Sequence, residues 1–194
     1  MYKLFQQDAF RWVMYLKNRQ VAAAAQLTFT DLFKLLFQHM ALRAIAWFRL
    51  GSWFKKKNIP FIPGYIQRRI YRHYGLEIIV GADIGGGLYI AHPIGTVVAP
   101  KRIGKNCSII ASVTIGMRNE WAFPSIGDNV FIGAGARVLG GIHIGDQAVI
   151  GANAVVIHDV PAGFTAVGIP ARAREHSQKN ASSVATGVEA SSVM

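Results

Sequence analysis

An aliphatic residue recurs at every sixth position over a long stretch of the chain, and this repeat constrains the fold more than any other feature. In the C-terminal half the repeated positions are Ile126, Ile132, Val138, Ile144, Ile150 and Val156. Upstream, the same spacing slips once by one residue and otherwise runs through Ile78, Ile84, Ile90, Val97, Ile103, Ile109 and Ile115. A period of six fits neither a helix nor an isolated alternating strand, and it is typical of a parallel β-helix built from hexapeptides.

Each hexapeptide is expected to supply one short strand whose aliphatic residue points into a narrow prism. Three hexapeptides make one coil, so residues 78–167 predict roughly five stacked coils. From Ile115 to Ile126 the interval is eleven residues, which predicts an extra loop over residues 117–125. The single cysteine, Cys107, falls four residues after an aliphatic position, where a second inward and inert side chain is expected.

All of the excess positive charge lies in the first 76 residues. They hold 13 Lys and Arg against 2 acids, whereas residues 77–194 hold 8 of each sign. This part also has the broad apolar periodicity of helices, with Thr30 and Asp31 as the N-cap and first-turn acid of one helix and a second helix over residues 65–74. The sequence therefore predicts three parts: a basic α-helical N-terminal segment (1–76), a β-helix domain (77–174) and a disordered tail (175–194).

Two interpretations of the basic segment stay open. In the first, its helices cap the apolar end of the first coil and their charges are solvated. In the second, a basic and aromatic surface rests on anionic lipid. The residues of that surface would be Trp12, Trp47, Trp53, Phe54, Arg49, Lys55, Lys56 and Lys57.

Composition and short motifs limit the location and the partners. The N-terminus carries charges and has no apolar stretch typical of a secretory signal, so we expect a cytoplasmic protein, peripheral on the inner face of the membrane if the second interpretation holds. No nucleic-acid-binding module is recognisable, and nucleic acid is not an expected partner. A zinc site is not expected either, because no closely spaced histidine pair is present.

Four motifs carry a resemblance to a known family, namely AHPIGTVV, SVTIG, FIGAGARVLG and VGIPAR. Together they resemble the serine acetyltransferase branch of the hexapeptide acyltransferases, and more closely its relatives that O-acetylate exopolysaccharides of the colanic-acid type. The resemblance covers residues 44–174. It implies a left-handed coil, a homotrimer, and acetyl-CoA as the cosubstrate.

The resemblance also implies the catalytic residues. An alcohol that attacks a thioester must lose a proton with a pKa far above neutrality, so a base that works near pH 7 is needed, and imidazole is the usual one. His92 occupies the histidine position of the family motif, and Glu77 stands where the family has an aspartate that orients the imidazole. A carboxylate in that place fixes the tautomer and stabilises the imidazolium.

Four residues are predicted to bind the coenzyme. Ala134 and Ala152 match family positions that line the pantetheine channel between subunits, and they are one coil apart. Small side chains leave room there for an extended arm against the backbone. Arg172 and Arg174, after the VGIP turn, are candidates for the nucleotide phosphates.

Three departures from the family pattern concern the acceptor. Serine acetyltransferases have an Asp where this chain has Ala91, and an Arg-His pair where it has Ala122 and Phe123, and these lost groups hold the amino acid. The sequence therefore predicts that the acceptor is a sugar hydroxyl of a cell-surface polysaccharide, with Trp121 and Phe123 stacking on the ring. Serine O-acetylation and a non-catalytic β-helix scaffold remain the alternatives.

Overall fold

The chain forms a parallel β-helix preceded by a helical segment, as the repeat predicts. The computed structural model describes residues 1–13 and 27–175. Its helices are α1 (Tyr2–Phe10), α2 (Phe29–Gln38), α3 (Met40–Lys56) and α4 (Ile62–Tyr74). Its strands are β1 (Leu76–Ile78), β2 (Asp83–Ile84), β3 (Tyr89–His92), β4 (Thr96–Val98), β5 (Arg102–Ile103), β6 (Ser108–Ala111), β7 (Thr114–Gly116), β8 (Ser125–Ile126), β9 (Phe131–Ile132), β10 (Arg137–Leu139), β11 (His143–Ile144), β12 (Val149–Ile150), β13 (Val155–Val156), β14 (Phe164–Gly168) and β15 (Ala171–Glu175).

The strands build three faces of a prism. The first face has the order β1-β4-β7-β10-β13, so it counts about five coils, and the second face has the order β11-β8-β5-β2. The third face has the order β15-β14-β12-β9-β6-β3, and only its last pair, β14 with β15, is antiparallel. The parallel β-helix is therefore confirmed, and the 117–124 loop leaves between β7 and β8 as predicted.

The inward positions follow the repeat with one correction. Val98 is fully buried and lies in register with Ile78 and Ile115, whereas Val97 points outward. The predicted inward role of Val97 is therefore wrong, and Val98, the aliphatic residue that continues the repeat, follows Ile90 by eight positions rather than seven. The additional two residues lie in the turn directly after His92.

The helical segment differs from the sequence prediction at the start of α2. Thr28, and not Thr30, is the N-cap, because its side chain accepts from the Asp31 backbone N–H while the Asp31 carboxylate accepts from the Thr28 N–H. This reciprocal arrangement is a capping box. The predicted continuous helix is also interrupted at His39, whose extended backbone (φ −116°) separates α2 from α3.

A buried ion pair joins α1 and α3 to the first coil. The Arg49 guanidinium donates from Nε to Asp8 Oδ2 (2.7 Å) and from Nη2 to Asp8 Oδ1 (3.0 Å), and both side chains are buried. Nη1 also donates to the Ile84 carbonyl (2.6 Å), and the Leu88 N–H donates to Asp8 Oδ1 (2.9 Å). Burial raises the pKa of Asp8, and the bonds from Arg49 and Leu88 act in the opposite direction. The pair therefore ties the helices to the β-helix.

These contacts remove part of the lipid-facing surface that the sequence predicted. Trp12 and Arg49 are buried. Trp47 is half-buried, and the Arg69 guanidinium carbon lies over its ring, 4.8 Å from the ring centroid. Lys55 donates to the Val80 carbonyl (3.0 Å), which ties it to the first coil. Among the described helices, none has the length and apolarity to cross a bilayer. The predicted disordered tail, 175–194, begins one residue too early, because Glu175 ends β15, and its residues 176–194 lie outside the described residues.

Candidate active site

His92 stands exposed at the corner between the third and first faces. It is the last residue of β3, and several hydrogen bonds hold the turn after it. The Thr96 hydroxyl donates to the His92 carbonyl (3.2 Å), and the Gly95 N–H donates to the Gly75 carbonyl (3.0 Å). The backbone around the imidazole is thus fixed while the ring itself faces outward.

A column of small residues rises from His92 along the same corner. In the parallel register His92 lies beside Ala111, and the alignment of β6 with β9 and of β9 with β12 places Ala134 and then Ala152 above it. The Gly135 N–H donates to the Ala111 carbonyl and the Asn153 N–H to the Ala134 carbonyl, both at 2.8 Å. Three coil steps of about 4.8 Å make the column on the order of 14 Å long. Its length and its lack of bulky side chains suit an extended, narrow ligand.

The hairpin of β14 and β15 closes the upper end of this column. The register of β12 with β14 continues the line from Ala152 to Gly168. Arg172 pairs with Val167 and Arg174 with Thr165 across the hairpin, and both arginines are exposed. The structure thus brings Ala134 and Ala152 to the same edge of the prism as His92. Arg172 lies one position from this edge across the hairpin, whereas Arg174 lies three positions from it, opposite Thr165.

Arg137 stabilises the middle of the column, and the sequence prediction missed it. Its Nη1 donates to the carbonyls of Ser112 and Gly135 (3.0 Å for the latter), at the turns that follow Ala111 and Ala134. Ser112 has φ of 51°, a left-handed conformation that is uncommon for a residue with a side chain. Arg137 occupies the position that Glu77, Val97, Thr114 and Val155 take in the other coils of the first face, and a long basic side chain there was the signal that could have identified it.

Glu77 lies next to the His92 corner without contacting the imidazole. It is exposed on β1, whose preceding residue Gly75 accepts from the turn after His92. Within the described residues, no hydrogen bond or ion pair joins Glu77 to His92. Glu77 instead lines a pocket together with Gln67, Arg68 and Tyr71 from α4. This pocket therefore holds one carboxylate and one guanidinium.

The aromatic loop residues lie at a different corner. Residues 117–124 leave the prism between the first and second faces, and the Trp121 and Phe123 rings contact each other edge to face at 5.3 Å. Trp121 is 83% exposed. Within one chain these residues are not brought together with His92, so a site that combines them needs a second copy of the chain.

No group of three or more His, Cys, Asp and Glu side chains that could hold a metal ion occurs in the part of the chain that the structure describes.

Cys107 is buried, and its thiol lies 3.1 Å from the Gly127 carbonyl. Burial raises the pKa of this thiol to about 11. Cys107 is therefore protonated near neutral pH and occupies an inward position, as expected for an inert side chain.

Comparison with known proteins gives a consistent set of relatives. The family described as bacterial transferase hexapeptide (six repeats) matches residues 123–158. The serine acetyltransferase of Helicobacter pylori strain J99 is 38% identical over 143 residues, which cover 72% of this chain and 84% of the relative. The chain spans only 41 to 59% of the length of longer serine acetyltransferases from cyanobacteria and Arabidopsis thaliana.

Solved structures agree with the sequence relatives. The serine acetyltransferase of Neisseria gonorrhoeae in complex with serine superposes with a TM-score of 0.74 at 30% identity, over 89% of this chain and 68% of that one. A serine acetyltransferase in complex with CoA superposes with a TM-score of 0.71 at 31% identity, over 88% of this chain and 68% of that one. These relatives are named for serine and not for a polysaccharide, so the predicted sugar hydroxyl acceptor is wrong, and the closer resemblance to exopolysaccharide O-acetyltransferases is not confirmed.

Proposed function

The chain belongs to the family of hexapeptide-repeat acyltransferases that includes the serine acetyltransferases, and we propose that it transfers the acetyl group of acetyl-CoA to the hydroxyl of L-serine. The observation that carries this proposal is the similarity over 143 residues, which span 84% of a serine acetyltransferase. The column of small residues that ends at an exposed histidine supports it independently, because acetyl transfer from CoA needs a narrow groove that leads to a base.

His92 is the proposed general base. The serine oxygen attacks the carbonyl carbon of the thioester, and its proton passes to the imidazole. The bond from the carbonyl carbon to sulfur then breaks, and the departing thiolate takes a proton to give free CoA and O-acetylserine. Because the imidazole accepts and returns one proton, the step needs no further reactant. The hydrogen bonds that fix the His92 backbone keep the base at the lower end of the column.

The pantetheine arm of acetyl-CoA is proposed to lie along the column. Ala134 and Ala152 offer methyl groups and backbone rather than bulk, which lets an extended chain approach closely. Arg172 and Arg174 at the upper end are suited to the phosphates, because a guanidinium binds phosphate through paired N–H groups. Arg137 keeps the turns beside the column in place through its bonds to two carbonyls.

The family groups that are missing at Ala91, Ala122 and Phe123 were the reason for preferring a sugar acceptor to serine. A zwitterionic amino acid requires one cation and one anion, and the pocket beside the His92 corner contains both, in Arg68 and Glu77. We propose that Arg68 binds the serine carboxylate and Glu77 its ammonium group. The predicted role of Glu77 as the carboxylate that orients His92 is the alternative. A Glu77→Gln variant that raises KM for serine favours the first role, and one that lowers only kcat favours the second.

Assembly into a homotrimer is part of the same proposal. The loop with Trp121 and Phe123 lies at another corner than His92, so a neighbouring copy would bring its loop to the His92 corner. These aromatic side chains would then cover the site, and a sedimentation mass near three times 21.2 kDa would support this arrangement. The peripheral membrane location also stays a prediction, and of the residues predicted to face lipid, Trp53, Lys56 and Lys57 are among those that remain exposed.

The test is the release of CoA in the presence of different acceptors. With acetyl-CoA and L-serine, we expect thiol release and a product whose mass exceeds that of serine by one acetyl group. D-serine and serine methyl ester are the matched controls, since the first inverts the geometry and the second removes the carboxylate charge. Thiol release that no amino acid accelerates would overturn the serine proposal, and absence of acetyl-CoA binding would favour the scaffold alternative.

A further inference from the structure

Helix α2 presents an uncovered row of aromatic side chains. Phe29, Phe33 and Phe37 follow one another at a spacing of four, so they lie on one side of the helix, and their exposed fractions are 79%, 73% and 77%. The opposite side of α2 is buried through Leu32 and Leu35. We call the three exposed rings the phenylalanine face. Three large apolar side chains in one row form a patch that soluble monomers rarely leave open.

An apolar edge extends this face on both sides. The Tyr2 ring of α1 stacks on Phe29 with centroids 5.7 Å apart. Leu36, which is half-buried, lines a shallow groove together with Ala46, Trp47 and Leu50 of α3. The aromatic row is therefore part of a wider apolar surface of the N-terminal segment, and it is not an isolated exposed side chain.

The charge around the phenylalanine face has only one sign. The first 76 residues contain two acids, Asp8 and Asp31, against 13 Lys and Arg. Asp8 is enclosed with Arg49, and Asp31 is buried in the capping box of α2. The segment consequently shows no exposed carboxylate, while Lys34 on α2 and Arg43 beside the groove are exposed. A basic and aromatic surface of this kind complements an anionic, partly apolar partner.

We propose that the phenylalanine face inserts into the interface of an anionic membrane, with the surrounding Lys and Arg on the lipid headgroups. A second copy of the chain is the less favoured occupant, because two such faces would bring two carboxylate-free basic segments together and repel each other. A bilayer with anionic lipid offers negative charge and apolar depth at the same place. This inference concerns the location of the protein and does not depend on the identity of the acceptor.

The test is flotation of the full chain with lipid vesicles. We expect the protein to float with phosphatidylcholine–phosphatidylglycerol vesicles, to float poorly with pure phosphatidylcholine, and to lose binding as salt screens the charges. The triple variant F29S/F33S/F37S should bind anionic vesicles at least ~10²-fold more weakly, because burial of each ring is worth about tenfold or more. Equal flotation of the variant and the wild type would overturn the proposal.

Two controls separate this outcome from a folding defect and from a protein interface. Phe61→Ser removes a ring that is 89% exposed in the same basic segment but away from α2, and it should leave vesicle binding within about twofold. A loss as large as that of the triple variant would contradict a specific face. In lipid-free solution, the triple variant should keep the wild-type sedimentation mass and melting temperature. A smaller mass would show that the face joins copies of the chain, which would also overturn the proposal.

Discussion

The β-helix and the helical segment before it are stabilised in opposite ways. The β-helix repeats one small unit, and each coil buries aliphatic residues against the equivalent residues of the next coil, as Ile78, Val98 and Ile115 do. The helical segment has no repeat. It is joined to the first coils by the buried ion pair of Asp8 with Arg49, by hydrogen bonds of individual side chains such as Arg11, Lys55 and Gln67, and by apolar side chains of α3 and α4. The comparison teaches that the first region repeats equivalent contacts, whereas the second depends on individual ones, among which the buried ion pair is expected to contribute most.

The two regions also divide the surface chemistry. The β-helix domain and tail have 8 positive and 8 negative residues, and the β-helix holds the column that leads to His92. The helical segment holds the whole excess of positive charge and the phenylalanine face. A neutral scaffold with a small-residue groove suits catalysis, whereas a basic aromatic surface suits attachment. The proposed base and coenzyme column thus lie in the β-helix and the proposed attachment surface lies in the helical segment, while Arg68 of α4 is proposed to contact the acceptor at the boundary between them.

Removing the buried ion pair is expected to have the largest effect on stability. Asp8→Ala leaves the Arg49 charge buried with only backbone carbonyls as partners, which should lower the free energy of unfolding by about 3–5 kcal/mol. The measurement is urea unfolding followed by tryptophan fluorescence, since Trp12, Trp47 and Trp53 report on the helical segment.

The matched control is an exposed ion pair of the β-helix. Arg102 Nε and Asp83 Oδ2 are 3.8 Å apart, and both side chains are largely exposed. Asp83→Ala should therefore lower the free energy of unfolding by less than about 1 kcal/mol. If both variants lost the same stability, the buried ion pair would not be the main individual contact of the helical segment, and the contrast between the two regions would fail.

The interior of the β-helix should protect its thiol. Burial raises the pKa of Cys107 to about 11, so the reactive thiolate is scarce near neutral pH, and the side chain is also inaccessible. We expect alkylation by iodoacetamide to be at least ~10²-fold slower in the native protein than in urea, as measured by mass spectrometry. Rapid native labelling would show that the coils open readily.

A larger side chain in the column should weaken coenzyme binding. Ala152→Leu fills the groove above Ala134, and we expect it to raise KM for acetyl-CoA about tenfold, a loss of roughly 1.4 kcal/mol of binding. Ala162→Leu is the control, because Ala162 is exposed beside Gly145, at the corner between the second and third faces. An equal change in both variants would mean that the effect does not come from the column.

The sequence was sufficient for the coils because each repeat specifies its own inward residue. The prediction failed at Val97, after the two residues that are inserted behind Ile90. The repeat reveals that the spacing changes there, but it does not say which of the following side chains points inward. Thr96 and Val98 take the inward positions of β4, and the hydrogen bond from Thr96 to His92 depends on that arrangement. The irregularity lies in the turn directly after His92, the proposed base.

The helical segment was predictable only at the level of local signals. The spacing of Thr28 and Asp31 fits a capping box and could have identified the start of α2. The burial of Trp12 and Arg49 could not be read from the sequence, because the partner of Arg49 is Asp8, 41 residues away. The preference for a sugar acceptor rested on three substituted positions, and similarity over 143 residues to a serine acetyltransferase outweighs them.

The most direct test of the account is the effect of His92→Ala on catalysis and on coenzyme binding. If His92 is the base at the lower end of the column, the variant should lower kcat for L-serine acetylation by ~10² to 10⁴-fold and leave the Kd of acetyl-CoA nearly unchanged. His143→Ala, at an exposed position on the second face, should change neither quantity. Retained turnover in His92→Ala, or an equal loss in His143→Ala, would contradict the assignment of the active site.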